Sequence, residues 1–153
     1  MMRCMKTSTN PGPEGKHLIV GAGPIGRMTA QALLASGARV TLASRSTPLP
    51  ETTVPHVCLD ARDGAALMQA AQGAGYIHLT LGLRYQSATW ERDWPRIMNH
   101  AIAAATQNQA GLVWFDNVYA YGPAPLRVPM DEDHALHPPS RKGRVRAQLL
   151  QLL

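Results

Sequence analysis

His17-Leu18-Ile19-Val20-Gly21-Ala22-Gly23-Pro24-Ile25-Gly26 places a short apolar run directly before glycines spaced GxGxxG, and a helical pattern continues to about Ser36. Strand, tight turn, helix is the one context in which that spacing has a defined physical meaning. Gly21 permits the turn, Gly23 lets the backbone approach a pyrophosphate, and Gly26 lets the helix pack close to the strand. The amino end of the helix carries unpaired N–H groups and a partial positive charge, so an anion is favoured there. Gly21, Gly23, Pro24, Ile25 and Gly26 are therefore the expected cradle of a dinucleotide.

Beyond this stretch, short apolar runs alternate with helical stretches, the pattern of repeated β-α units and a parallel sheet. In the first helix Ile25, Met28, Ala32 and Leu33 share a face, and Gly37 is placed to end it. Arg39–Ala43, Val57–Leu59, Tyr76–Leu79 and Leu112–Phe115 supply four more strands. Asp63 caps a helix that runs to Gly73. A loop holds Tyr85, Trp90 and Trp94, and Asp93 with Pro95 marks the start of an alanine-rich helix ending near Gln107. Asp116 to Pro139 contains five prolines and little periodicity, as expected of a loop over an active site, and Ser140 caps a final helix to Leu153. The fold class is α/β, a Rossmann-like doubly wound parallel sheet of five strands. Counted from His17 their order is 3-2-1-4-5, with the ligand crevice at the carboxyl ends where the order reverses.

The residues after the second strand choose the ligand. A site for NAD or FAD usually has Asp or Glu about 20 residues beyond the glycines, but here Ala43-Ser44-Arg45-Ser46 stands in that place. No carboxylate repels a 2′-phosphate; Arg45 can pair with one, and Ser44 and Ser46 can donate to it. NADP is the preferred cofactor, NAD the second choice, and a flavin is disfavoured. Asp60 either accepts from the adenine amino group or caps the turn after it. Leu79, Thr80 and Leu81 are expected along the adenosine ribose.

Composition narrows the class. The 153 residues are 45% hydrophobic and 16% charged, ordinary for one globular domain. No apolar run approaches the roughly 18–20 residues of a membrane span. Two cysteines, Cys4 and Cys58, cannot build a disulfide scaffold and suggest a reducing cytoplasm. Lysine and arginine outnumber acids 15 to 10, yet no aromatic stacking motif accompanies the basic run Arg141–Arg146, so no nucleic-acid partner is expected. Residues 1–16 are polar and rich in Pro and Gly, read as a flexible leader without the apolar core of a secretory signal, and residues 17–153 form the nucleotide domain. Asp131-Glu132-Asp133-His134-Ala135-Leu136-His137 reads as an acidic loop over the substrate cleft and not as a metal site, with Glu132 facing the substrate at most. His56 and His78 read as structural histidines within strands.

Together the glycine loop, Asp116-Asn117-Val118-Tyr119-Ala120-Tyr121-Gly122 and Pro139-Ser140-Arg141-Lys142-Gly143-Arg144-Val145-Arg146 give the chain a resemblance to a known family. From His17 onward it resembles the extended short-chain dehydrogenase/reductases, and more narrowly the NAD-dependent epimerase/dehydratase family. That resemblance implies hydride transfer between a nicotinamide and a carbonyl or alcohol carbon of a small molecule. Ala120-Tyr121-Gly122 matches the family's VYG-like turn and puts Asn117 at the catalytic serine/threonine position. Lys142, 25 residues later, then takes the tyrosine slot of YxxxK, and Arg146 takes the lysine slot. Asn117, Lys142 and Arg146 are thus the expected catalytic set, with Tyr121 as a nearby phenol. The family's tyrosine is the acid/base, and lysine titrates near 10.4 unless perturbed, so turnover is in question. A non-catalytic NADP(H)-sensing regulator and an inactive truncated fragment are the alternatives. Family members run to about 300 residues, so the chain reads as truncated before a substrate domain, or as an obligate homo-oligomer. On that view the leucines of Gln148–Leu153 lack a partner surface and the fifth strand is a bare edge.

Overall fold

The computed structural model describes residues 15–46, 54–122, 125–126, 128–131 and 133–153, and the backbone of 2–5. Its strands are β1 (Met2–Met5), β2 (Lys16–Val20), β3 (Arg39–Ser44), β4 (His56–Cys58), β5 (Tyr76–Leu79) and β6 (Gly111–Phe115). Its helices are α1 (Pro24–Ala35), α2 (Gly64–Ala70), α3 (Ser87–Gln107) and α4 (Arg141–Leu150), with a 3-10 turn at Val118–Ala120. The sheet order is β1-β6-β5-β2-β3-β4. The five strands from β2 to β6 are parallel, so from the glycine-motif strand onward the order is the expected 3-2-1-4-5. Leu18, Ile19 and Val20 are all buried, as a parallel strand covered on both faces requires.

Alternation along β2 divides the core. Ile19 points to α1 and packs with Ala30, Val40 and Leu42. Leu18 and Val20 point to the opposite layer, where α2, α3 and α4 bury Leu67, Trp94, Ile97, Val145 and Leu149. Asp63 caps α2 by accepting from the N–H groups of Ala65 and Ala66 at 3.0 and 3.1 Å, and Ser140 caps α4 by accepting from Gly143 N at 2.9 Å.

The structure departs from the sequence expectation in four places. Met2–Met5 are not leader: they form a strand antiparallel to β6, pairing Met2 with Phe115 and Met5 with Leu112, so the edge expected to be bare is covered. Lys16 likewise belongs to β2, and the rest of the expected leader, residues 6–14, lies outside the described residues.

In the second place, α3 begins at Ser87 and carries Pro95 in its interior, so Trp90 and Trp94 stand on a helix and not in a loop. An interior proline costs about 3 kcal/mol. Burying two indoles, which remove about 150–250 Å² each from water, outweighs it.

The third departure concerns α1. Gly26 and Ala30 face inward, whereas Ile25 is 37% and Met28 67% exposed. Contact of Gly26 with the turn sets the rotation of this helix, and the apolar stripe does not.

Finally, α4 ends at Leu150, and Leu149 and Leu150 bury themselves in the main core instead of waiting for an external surface.

Candidate functional site

The turn after β2 is built by what its glycines lack. Gly21 has φ +120°, and a Cβ there would lie 2.5 Å from Leu81 N. A Cβ on Gly26 would collide with the Gly21 carbonyl oxygen. At Gly23 a Cβ would meet nothing within 4 Å: this glycine keeps open space above the turn instead of relieving a contact inside the protein. Gly23 is also the N-cap of α1 and offers no side chain to its first amides, so those donors remain for an external acceptor. A main-chain cradle with room above it fits a pyrophosphate.

That cradle opens into a pocket of about 460 Å³ at the carboxyl ends of β2, β3 and β5. Of the expected cofactor residues, Gly21, Gly23, Ser44, Arg45, Ser46, Asp60, Thr80 and Leu81 line it. Gly26 lies beneath the turn, while Pro24 and Ile25 start α1 outside the lining. Leu79, expected as a wall contact, is wholly buried in the core, because inward positions of β5 alternate and its side chain falls on the α3 layer. Thr80 does line the pocket, but its hydroxyl lies 3.0 Å from Gly21 O and 3.3 Å from Val20 O, clamping the turn to the end of β5.

Asp60 accepts from Arg62 N at 3.0 Å and from Arg62 Nε at 3.0 Å on both oxygens, the geometry of a turn cap. The Arg62 guanidinium holds the Asp60 carboxyl down at about 2, against an opposing push from burial. Arg62 also reaches Asp93 of α3 at 3.6 Å, and Asp93 in turn accepts from Arg92 Nε at 2.6 Å. The ligand loop is thereby tied to α3 by alternating charges. Ser44 Oγ donates to Ser46 O at 3.0 Å and lies 2.8 Å from His56 Nε2, so its hydroxyl is engaged within the protein. Sequence reasoning passed over Arg27, His56 and Arg62 as pocket residues. The only available signal was Arg62 two residues after Asp60, since Arg27 resembles any solvated helical arginine.

None of the expected catalytic residues, Asn117, Tyr121, Lys142 and Arg146, is in the lining of this pocket. Asn117 Oδ1 accepts from Tyr119 N at 3.0 Å and starts the 3-10 turn. Lys142 Nζ sits 3.7 Å over the Tyr85 ring, and the Tyr85 hydroxyl donates to Tyr119 OH at 3.2 Å. That phenol contact raises the Tyr119 pKa above its ordinary value. Tyr121 is buried, with its ring edge-on to His134 at 6.0 Å. His134 Nδ1 is in turn 3.4 Å from Asp131 Oδ1, while Glu132 lies outside the described residues.

Arg146 is not at an open site at all. It is 5% exposed, with its guanidinium 4.6, 4.1 and 4.9 Å from the ring centres of Trp90, Trp94 and Trp114 and its Nε 3.3 Å from Asp116 Oδ1. Burial lowers the Arg146 pKa to about 10 and raises that of Asp116, the paired charge opposing each shift. Arg146 remains a cation at neutral pH and holds α4 to the sheet. Indoles from α3 and β6 enclose it because the cation is drawn to their ring faces. Among the described residues no helix is long and apolar enough to cross a membrane.

The same fold occurs in solved enzymes. An L-threonine dehydrogenase from Clostridium difficile superposes with a TM-score of 0.76 at 18% identity, covering 91% of this chain and 48% of the dehydrogenase. A UDP-N-acetylglucosamine 4-epimerase from Bacillus cereus gives 0.74 at 13% identity, covering 90% and 47%. A short-chain dehydrogenase/reductase superfamily protein from Agrobacterium tumefaciens with bound NAD gives 0.73 at 24%, covering 90% and 43%. The chain thus spans about half the length of these structures. No family model matches the sequence, and no curated protein matches it. At these identities the likeness establishes the architecture, a Rossmann-like doubly wound sheet.

Proposed function

We propose that this chain is the NAD(P)-binding domain of an epimerase/dehydratase- or reductase-like oxidoreductase acting on a carbonyl or alcohol carbon, with NADP preferred and NAD accepted. The observation that carries the proposal is the glycine turn, whose central member has open space above it at an uncapped helix mouth. The cofactor, when bound, supplies or accepts the hydride. In this assignment the amides of the first turn of α1 hold the pyrophosphate, and Arg45 pairs with the ribose phosphate. Asn117 keeps its amide N–H groups for a substrate oxygen, since its Oδ1 is engaged by Tyr119 N. Lys142 brings positive charge to the same end of the sheet. The substrate is a small molecule, and the setting is cytoplasmic.

Calorimetric titration with NADPH, NADH and FAD tests this. NADPH is expected to bind most tightly, NADH more weakly and FAD not at all. A Gly23→Asp variant is expected to fold normally, because its new side chain points into open space, and to lose nucleotide binding. NADPH heat unchanged in Gly23→Asp refutes the assigned cradle. One observation favours a second reading, an NADP(H) sensor without turnover: Arg146, expected at the reacting carbon, is enclosed by three indoles. NADPH binding without oxidation by any member of a panel of sugars, ketones and aldehydes supports the sensor.

A further inference from the structure

The dinucleotide assignment gives the adenosine end one arginine, Arg45. A second arginine lines the same pocket: Arg27, in the first turn of α1. We propose that Arg27 and Arg45 grip one phosphate on the adenosine ribose between them. Arg27 is then a specificity-determining residue for 2′-phosphorylated nucleotides, an inference that rests on the dinucleotide reading above.

Topology brings the two together. α1 packs mainly on β3, and it returns the chain from the end of β2 to the start of the parallel β3. Its amino end therefore lies beside the carboxyl end of β3, where Ser44, Arg45 and Ser46 stand. Charge points the same way. Among the described residues the one carboxylate lining the pocket, Asp60, is engaged by Arg62 through both oxygens. Among the described residues, neither Arg27 nor Arg45 has an ion-pair partner. Two guanidinium groups held in no ion pair and lining one pocket suit a doubly charged phosphate, which accepts parallel N–H bonds from each. A second arginine also supplies donors that Ser44 does not, because Ser44 gives its only proton to Ser46 O. The pyrophosphate has its own donors in the helix-mouth amides and does not need Arg27.

The test is a set of affinities for NADPH, NADH and 2′,5′-ADP measured on the full chain and on Arg27→Gln, Arg27→Lys and Arg45→Gln. Losing a charge-assisted bond is expected to weaken NADPH and 2′,5′-ADP by about 10–100-fold in each Gln variant. NADH is expected to stay within about twofold, since it lacks the phosphate these groups hold. Arg27→Lys is expected to recover part of the loss, with far-UV circular dichroism unchanged in all variants. Equal weakening of NADPH and NADH in Arg27→Gln assigns Arg27 to the pyrophosphate and overturns the proposal, as does unchanged NADPH affinity. Tighter binding of NADH than NADPH by the unmodified chain also overturns it while leaving the dinucleotide reading intact. Failure of all three nucleotides to bind the unmodified chain removes that reading itself.

Discussion

Two regions at the carboxyl end of the sheet are constructed in opposite ways. Around Gly21–Gly26 the chain removes side chains, so that main-chain donors face an open pocket ringed by arginines. Around Asp116 and Arg146 it adds them, filling the space with three indoles, a guanidinium and a carboxylate. A basic residue near a strand end thus has two meanings. Arg45 is exposed and makes no ion pair among the described residues, which leaves it available to a ligand; Arg146 is spent on the protein's own packing. The neighbourhood separates them, and residue type does not.

The largest expected effect breaks the first region from within. Gly26→Val puts a side chain into the Gly21 carbonyl, where backbone meets backbone and nothing flexible can give way. A loss above about 4 kcal/mol is expected, seen as collapse of the cooperative urea transition, while Gly23→Ala leaves the transition in place. In the second region, Arg146→Ala strands Asp116 in the core and is expected to destabilise by about 3–5 kcal/mol. Replacing both partners, Arg146→Met with Asp116→Leu, is expected to recover most of that loss, measured by the same denaturation and with NADPH affinity unaltered.

A pH series probes the strands between the two regions. His78 Nε2 and His17 Nδ1 are 2.9 Å apart, and burial first, then the neighbouring His17, depress the His78 pKa to about 4 from an ordinary 6.5. The unfolded chain therefore takes up the proton more readily than the folded one. Stability is complete above pH 6.5 and is expected to fall, by at most about 3 kcal/mol, as pH drops from 6.5 through 4. Urea midpoints at pH 7.5, 6 and 5 check this, and a His78→Phe variant is expected to flatten the trend. The smallest effect is at the α4 cap, where Ser140→Ala is expected to cost about 1 kcal/mol in the same assay without changing nucleotide affinity.

Local signals made the parallel sheet and the glycine turn legible. Leu18–Val20, Gly21 and Gly26 state their roles within ten residues, and Asp63 and Ser140 announce helix starts by their capping chemistry. Features set by distant partners were not legible. Pro95 has the look of a helix start because nothing near it in sequence reveals the indole burial that carries α3 across it. Ile25 and Met28 look inward-facing until Gly26 docks on Gly21 and turns the helix. The fate of Arg146 depends on Trp90, Trp94 and Trp114, which only the closed sheet assembles. Arg27 acquires its meaning when α1 lies across β3, and no motif marks it.

The strand Met2–Met5 is made long before its hydrogen-bonding neighbour, β6, which is the last strand of the described sheet in chain order. During synthesis it stays unpaired until that neighbour emerges, so the outer edge closes late and over a long loop. Nascent chains stalled before Gly111 carry two unsatisfied backbone rows, one on each side of the missing strand, and are the species for chaperones to guard against edge-to-edge association.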